Sequence, residues 1–266
     1  MQLPESLLKP SLLAAALVAS TLSLPALAQG QVQEQYADAV QQLIDRGVTV
    51  AGSFEAPGGM TGYVGDMQGR AVAFYLTSDR KHVVVGTMLT ASGENLTESK
   101  IQELVRGPQN DKAWSQVENA DWVRDGDANA PVIVYTFTDP NCPFCHRFRQ
   151  AAEPWIDAGK VQLRHVMVGI LKQDSLPKAA TILGSDNPRK ALKENQQNHG
   201  KGGIEVDRNI VSKNAKKVRK NNQLMSSLGL SATPSTYYRD GNGNIQMKQG
   251  APRPGEMEAI MGSPKP

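Results

Sequence analysis

The feature that most constrains this chain is a pair of cysteines three positions apart. Cys142 and Cys145 are the only cysteines among 266 residues. Residues 132–137 before them form a nearly unbroken apolar run, which is typical of a central strand covered on both faces. Apolar residues then recur every three or four positions over 144–155, which predicts an amphipathic helix. The sequence therefore places Cys142 where a buried strand passes into the start of a helix.

A cysteine at the start of a helix has unusual chemistry. The first N–H groups of a helix are unpaired, and the helix dipole adds partial positive charge there. We therefore expect the Cys142 thiolate to be stabilised, accessible and nucleophilic near neutral pH. Pro143 suits a first helical turn, where no backbone donor is needed. Cys145 lies one turn further on, so Cys142 is predicted to attack a substrate sulfur and Cys145 to resolve the resulting mixed disulfide.

Two inert interpretations of the cysteine pair are weaker. A structural disulfide across so short a loop would contribute only about 2 kcal/mol. A zinc site would need two further ligands, and the four histidines show no pair at the usual spacing. We therefore predict redox chemistry with no metal and no cofactor. His146, beside Cys145, is either a cation that lowers the Cys142 pKa or a solvated side chain; the second is favoured because the helix start already supplies positive potential.

The first residues predict export. Residues 1–29 contain Lys9, an apolar run and the small-x-small pattern of 26–28, which together indicate a cleaved signal peptide. Hydroxyl residues within 20–23 interrupt the run before it reaches the roughly 20 residues of a membrane span, which disfavours an uncleaved anchor. An exported, soluble mature protein would meet an oxidising compartment, where a cysteine pair is redox-active or bridged.

The net charge of +3 is only mildly basic. A cluster of lysines and arginines at 213–220 shares its helix with apolar residues, so it is interpreted as a solvated face. Export also removes nucleic acid as a partner.

Residues 30–92 predict a small α+β unit. A helical stripe over 32–46 is followed by four strand-like runs separated by turn residues. These runs are 48–54, 61–64, 71–76 and 83–89. A unit of this size buries little apolar surface by itself, so self-association is expected.

Residues 93–130 predict a linker helix and a hinge. Ile101, Leu104 and Val105 are spaced for one helical face. Gly107 and Pro108 are expected to break this helix, which then continues intermittently to about residue 125 and projects from the small unit. A short polar hinge follows at 126–130.

Residues 131–266 predict a thioredoxin-like domain. After the cysteine helix come a strand at 161–168, a helical stretch at 175–228 and two strands at 235–238 and 245–247. A helix at about 254–261 ends the chain. The order β-α-β, helical insertion, β-β-α is that of a thioredoxin fold. Thr233 and Pro234 open the third strand, and by themselves they indicate an ordinary trans proline.

Several segments together resemble the DsbC/DsbG family of periplasmic thiol:disulfide interchange proteins. They are Thr-Asp-Pro-Asn-Cys-Pro-Phe-Cys at 138–145, Val-Gly-Ile-Leu-Lys at 168–172, Ala-Thr-Pro at 232–234, and the segments 75–79 and 85–89. The resemblance implies a cystatin-like N-terminal dimerisation domain, a linker helix and a thioredoxin-like catalytic domain with a helical insertion. It also implies that Thr233–Pro234 is cis and that Pro143, Phe144, Thr233 and Pro234 line the substrate site.

The resemblance further implies a V-shaped homodimer in the periplasm, which acts on cysteines of exported client proteins as a disulfide isomerase or reductase. A membrane reductase of the DsbD type would keep it reduced, and sulfenylated cysteines would be further substrates. A DsbA-like oxidase and a non-enzymatic chaperone are the alternatives. Two positions depart from the family pattern: Phe144 replaces a common tyrosine, and Thr136 stands where thioredoxins bury an acid, so no carboxylate proton shuttle is expected there.

Overall fold

The computed structural model describes residues 36–253 and 255–266. The predicted signal peptide at 1–29 and the start of the first predicted helix lie outside these residues. Among the described residues, no helix has both the length and the apolar character needed to cross a membrane.

The N-terminal unit is one helix followed by an antiparallel meander. Helix α1 spans Asp38–Asp45, and the strands follow in spatial order β1-β2-β3-β4. Their bounds are Val48–Ala56 for β1, Met60–Met67 for β2, Arg70–Leu76 for β3 and Val83–Val85 for β4. The four predicted strands are confirmed, but the last is shorter than expected because Gly86 adopts a φ of 152° and turns the chain away.

One nearly continuous helix follows. It consists of α2 at Leu96–Ile101, a π-helical turn at Gln102–Arg106 and α3 at Gly107–Glu118. The predicted break at Gly107-Pro108 is absent. Because Pro108 has no N–H to donate, the turn before it widens, and the Gly107 N–H bonds to the carbonyl of Gln102, five residues back.

The two halves of this helix pack on different sheets. Ile101 and Val105 bury their side chains against Val64 and Ala73 of the small sheet. Further along, Trp114 packs in the core of the large sheet described next. The assignment of this segment as a linker stays a prediction.

The thioredoxin-like domain contains a five-stranded sheet in the order β5-β7-β6-β8-β9. The strands are Trp122–Asp125 (β5), Val132–Thr138 (β6), Val161–Met167 (β7), Ser235–Arg239 (β8) and Ile245–Gln249 (β9). The helices are Pro143–Asp157 (α4), Ser175–Gly184 (α5), Pro188–Gln197 (α6), Arg208–Ser227 (α7) and Glu256–Met261 (α8). Strands β6 and β7 are parallel and the other pairs antiparallel, so the predicted fold class is confirmed.

Strand β5 is the main departure in this region. The helical pattern was expected to reach about residue 125, but the helix ends at Glu118 and Trp122–Asp125 pairs with β7 at the sheet edge. This strand lies inside the segment assigned to the linker and hinge. The domain limits 30–92, 93–130 and 131–266 stay a prediction.

The two faces of the large sheet alternate along its strands, as the pleat requires. Val134 and Leu163 face α4, where they meet Phe148. Tyr135 and Phe137 face the opposite side, toward α3 and α7. The start of α4 therefore lies at the carboxyl end of the central strand β6.

Candidate active site

Cys142 occupies the N-cap of helix α4. Its backbone is extended, with φ −78° and ψ 115°, and its sulfur accepts the N–H of Cys145 at 3.2 Å. A turn after β6 sets this geometry, because the Cys142 N–H bonds to the carbonyl of Asp139 at 3.0 Å. The sulfur thus fills the role that a serine or aspartate side chain usually has at a helix start.

The fold brings Thr233 and Pro234 to the cysteine pair across 91 residues of sequence. The Thr233–Pro234 peptide bond is cis, as the resemblance implied. The Cys142 thiol lies 3.2 Å from the Thr233 carbonyl oxygen, to which it donates when protonated. The Thr233 hydroxyl is buried and has no regular hydrogen-bond partner among the described residues, yet it lies near enough to both sulfurs to help lower the pKa of each.

The two sulfurs have opposite acidities. The pKa of Cys142 falls from 9.0 to about 6, chiefly because the Cys145 side chain donates a hydrogen bond to its sulfur. Thr233 and the backbone N–H groups of Cys145 and Phe144 add to this effect, and together they outweigh burial. The pKa of Cys145 is raised well above 9.0, first by burial and then by its neighbour Cys142. One thiol is therefore ionised near neutral pH and the other is protonated.

Both cysteines are free thiols, and each is only 2% exposed. The expectation of an accessible Cys142 sulfur was therefore wrong for this structure. The Thr233 carbonyl is one of the groups packed against the sulfur, and a client sulfur reaches Cys142 only where its surroundings open.

The two residues between the cysteines, Pro143 and Phe144, face outward. Pro143 is the first residue of α4, and the Phe144 side chain is 49% exposed. The guanidinium of Arg147 lies over the Phe144 ring, 4.5 Å from its centre. Phe144 stabilises the thiolate through its backbone N–H, which any residue except proline supplies at this position.

His146 is half-buried and contacts two side chains. Its Nδ1 lies 2.7 Å from the side-chain oxygen of Gln196, and its ring stacks on His199 at 4.6 Å. The favoured interpretation of His146 as a solvated side chain was wrong, because α6 and the turn after it cover this part of α4. Burial and the neighbouring His146 lower the pKa of His199.

Asp139 is a buried residue that no sequence pattern singles out. One carboxylate oxygen accepts the N–H of Asn141 at 2.9 Å and the Ser175 hydroxyl at 2.8 Å. The other accepts the N–H groups of Ile170 and Leu171 at 2.8 and 3.0 Å. Four donors satisfy this carboxylate without a cation. Asp139 thus fixes the turn before Cys142 against the loop after β7.

Thr136 stands at the position where thioredoxins bury an acidic side chain, and its hydroxyl pairs with that of Thr236. Thr136 is fully buried and accepts from the Thr236 hydroxyl at 3.2 Å. His165 pairs with Thr136 across the parallel strands, and its Nδ1 lies 2.9 Å from the Thr138 hydroxyl. Burial lowers the pKa of His165 to about 4, so its ring is neutral.

Within 36–253 and 255–266, no group of three histidine, cysteine or acidic side chains is arranged to hold a metal ion. The hydrogen bonds of the Cys142 sulfur include those to the Thr233 carbonyl and to the N–H of Cys145.

A cysteine pair at the start of a helix, beside a cis-proline on a five-stranded sheet, defines a thiol-disulfide oxidoreductase with a thioredoxin-like domain. The family of thioredoxin-like domains matches residues 124–263. The chain is also 40% identical to the thiol:disulfide interchange protein DsbG of Pseudomonas aeruginosa over 223 residues, which is 84% of this chain and 87% of that protein.

DsbG of Escherichia coli is 39% identical over 240 residues, which cover 90% of this chain and 96% of that protein. The chain therefore belongs to the DsbG family of thiol:disulfide interchange proteins, and it is an enzyme of this class. Among solved structures, the catalytic domain of Proteus mirabilis ScsC has a TM-score of 0.47 and 21% identity, covering 58% of this chain and 96% of that one.

Proposed function

We propose that Cys142 is the nucleophile and Cys145 the resolving thiol of a periplasmic disulfide isomerase and reductase. The observation that carries this proposal is the Cys142 sulfur at the N-cap of α4, where it accepts the N–H of Cys145 one helical turn on. The lowered pKa of Cys142 and the raised pKa of Cys145 agree with it. Pro143, Phe144, Thr233 and Pro234 form the substrate-binding surface around them. The clients are exported proteins with cysteines.

The sulfurs of Cys142 and Cys145 are sufficient for each step of thiol–disulfide exchange with a client. The Cys142 thiolate attacks one sulfur of a client disulfide, forming a mixed disulfide and releasing a client thiolate. In isomerisation, another client thiolate attacks the mixed disulfide and frees Cys142. In reduction, Cys145 loses its proton and attacks Cys142, so that the client leaves with two electrons and the enzyme becomes oxidised. A membrane reductase of the DsbD type then returns two electrons.

A sulfenylated client cysteine follows the same route. The Cys142 thiolate attacks the client sulfur, and the hydroxyl leaves with a proton as water. The product is again a mixed disulfide, which Cys145 resolves. A single exposed cysteine on the client is sufficient for this reaction, so it needs no second client thiol.

Cysteine variants test the assignment. Cys145→Ala should accumulate a mixed disulfide with a client, whereas Cys142→Ala should form none and lose insulin reduction and disulfide reshuffling. A chaperone that works without thiol chemistry would keep full holdase activity in Cys142→Ala and would show no exchange in the wild type. Alkylation trapping in cells separates the remaining alternative, because a reduced pair fits an isomerase or reductase and a fully oxidised pair fits an oxidase.

The proposed homodimer uses the edge of the small sheet. Among the described residues, β4 pairs only with β3, and beyond it Val84 and Val85 are 56% and 62% exposed. An open edge with apolar side chains is a template for pairing with another strand. Val85→Lys should shift the protein to a monomer in analytical ultracentrifugation, whereas Met247→Lys, an exposed apolar position elsewhere, should leave it dimeric. A dimer that persists in Val85→Lys would contradict the edge assignment.

A further inference from the structure

Exposed apolar side chains concentrate at two places in the described part of the chain. Met67, Val84, Val85 and Leu89 belong to the N-terminal unit. Phe144 lies between the two cysteines, Ile170 and Leu171 lie in the loop that Asp139 holds to the active-site turn, and the remaining one is Met247. Ile170 is 43% exposed and Leu171 is 50% exposed. The reaction steps proposed above involve neither of these two adjacent aliphatic side chains, and their exposure to solvent therefore needs an explanation.

The backbone that carries them is fully bonded. The Val168 N–H donates to the Thr138 carbonyl at 3.0 Å. Gly169 exchanges two hydrogen bonds with the side-chain amide of Asn222, at 3.0 and 3.2 Å. Ile170 and Leu171 donate to Asp139, and the Lys172 N–H donates to the Ser175 hydroxyl at 3.0 Å. Every N–H from residue 168 to residue 172 therefore has a partner.

Gly169 allows this loop to lie against helix α5. A Cβ built on Gly169 would stand 2.3 Å from the Cα of Leu176 and 2.4 Å from its backbone nitrogen. No side chain fits there, so the loop and the helix approach each other as closely as their backbones permit. The exposed side chains of Ile170 and Leu171 thus stand on a backbone that is fixed before any client binds.

Asp139 fixes the loop relative to Cys142. Its carboxylate holds the N–H groups of Ile170 and Leu171, while its own carbonyl holds the N–H of Cys142 at 3.0 Å. Its backbone also contributes to lowering the pKa of Cys145. Asp139 therefore connects the backbone of the apolar pair directly to the backbone of Cys142.

We propose that Ile170 and Leu171 form an apolar ledge that binds an apolar side chain of the client polypeptide within a few residues of its reactive cysteine. The inference rests on the proposed role of Cys142, since a client sulfur attacked by Cys142 brings its neighbouring residues onto this surface. A client segment is the occupant because Asp139 bonds both this loop and the backbone of Cys142, at which the client is attacked.

Two peptides test whether the ledge binds an apolar side chain. Each carries one cysteine linked to 2-nitro-5-thiobenzoate; one has leucine two positions from the cysteine and the other has serine. The reduced full-length protein is mixed in separate reactions with each peptide and with a small disulfide that carries no peptide, the symmetric disulfide of 2-nitro-5-thiobenzoate. The second-order rate of thiobenzoate release is recorded in each reaction. The wild type should react about tenfold faster with the leucine peptide, which corresponds to partial burial of one aliphatic side chain.

The test variant is Ile170→Ser/Leu171→Ser, and Met247→Ser is the matched control. The double variant should lose the leucine preference while its rates with the serine peptide and the small disulfide stay within about twofold of the wild type. Met247→Ser should keep the full preference. Equal wild-type rates with both peptides, or a preference that survives in the double variant, would overturn the ledge.

Other outcomes point elsewhere. A double variant that becomes monomeric in analytical ultracentrifugation would show that the ledge is an interface between two copies, and this would overturn the proposal. A wild type that releases no thiobenzoate from any of the three disulfides would contradict Cys142 as nucleophile, and the ledge would fail with it. A normal rate with the small disulfide and no leucine preference would reject the ledge alone.

Discussion

The acidity of Cys142 gives the sharpest prediction. Titrating the reduced protein with pH changes the charge of this sulfur, whose pKa is lowered from 9.0 to about 6. Only the thiolate reacts with an alkylating reagent. The alkylation rate of Cys142 should therefore rise with pH and level off above a midpoint of about 6.

The size of the effect follows from the two pKa values. At pH 7 a thiol with a pKa of about 6 is roughly 90% ionised, whereas a thiol at 9.0 is about 1% ionised. Cys142 should thus present about 90 times more thiolate than an ordinary cysteine. Part of this gain is offset in reactivity, because nucleophilicity falls as the pKa falls.

The assay is the rate of iodoacetamide labelling from pH 4 to 10, resolved by mass spectrometry for each cysteine. Cys145→Ala removes the largest cause of the lowered pKa, so its midpoint should move upward. It should still lie below 9.0, because the backbone N–H groups at positions 144 and 145 and the contribution of Thr233 remain. Cys142→Ala reports Cys145 alone, whose labelling should appear only above pH 9.

Two results would refute this reasoning. A wild-type midpoint near 9 would show that the hydrogen bonds to the sulfur do not stabilise its charge. A sulfur that stays unlabelled at every pH while the denatured protein labels fully would show that Cys142 never becomes accessible in the folded protein, and the proposed nucleophile would be wrong.

Single contacts give three further predictions. Thr233→Val removes the buried hydroxyl that lowers the pKa of Cys142, so the labelling midpoint should rise. Gly169→Ala forces a Cβ against backbone and should lower stability by roughly 1–3 kcal/mol in urea unfolding, whereas Gly241→Ala, with open space around it, should stay within about 0.5 kcal/mol; equal stabilities would contradict the close approach. His165 keeps its neutral form down to about pH 4 while the unfolded chain takes up a proton near 6.5, so stability should fall by roughly 3 kcal/mol from pH 6.5 to 4. His165→Asn should flatten this fall, and an unchanged pH dependence would exclude His165 as its source.

Much of the fold could be predicted from the sequence because it depends on local periodicity. The strands of the small sheet, the strand before Cys142 and the helical insertion all show clear apolar spacing. Strand β5 was missed because four residues, Trp122–Asp125, are too few to establish a period of two after a helix. Pro108 was interpreted as a break because a widened turn leaves no sequence signal that distinguishes it from a helix end.

The site was predictable in its sulfurs and less so in its surroundings. Thr233 lies 91 residues from Cys142, and only the family resemblance placed the two together. Asp139 binds donors 31–36 residues away, in the loop after β7 and at the start of α5. The burial of Cys142 likewise has no signal in the local sequence. Such contacts come from tertiary packing, which a single sequence does not encode locally.

The burial of Cys145 has a consequence for timing. Once a client is bonded to Cys142, escape by reduction waits for Cys145 to lose a proton, and burial raises the pKa of Cys145 and so disfavours that loss. The two contributions from a free Cys142 vanish in that complex, but burial, the largest, persists. A client bonded to Cys142 therefore has time for one of its own thiols to attack the mixed disulfide before Cys145 releases the client in reduced form.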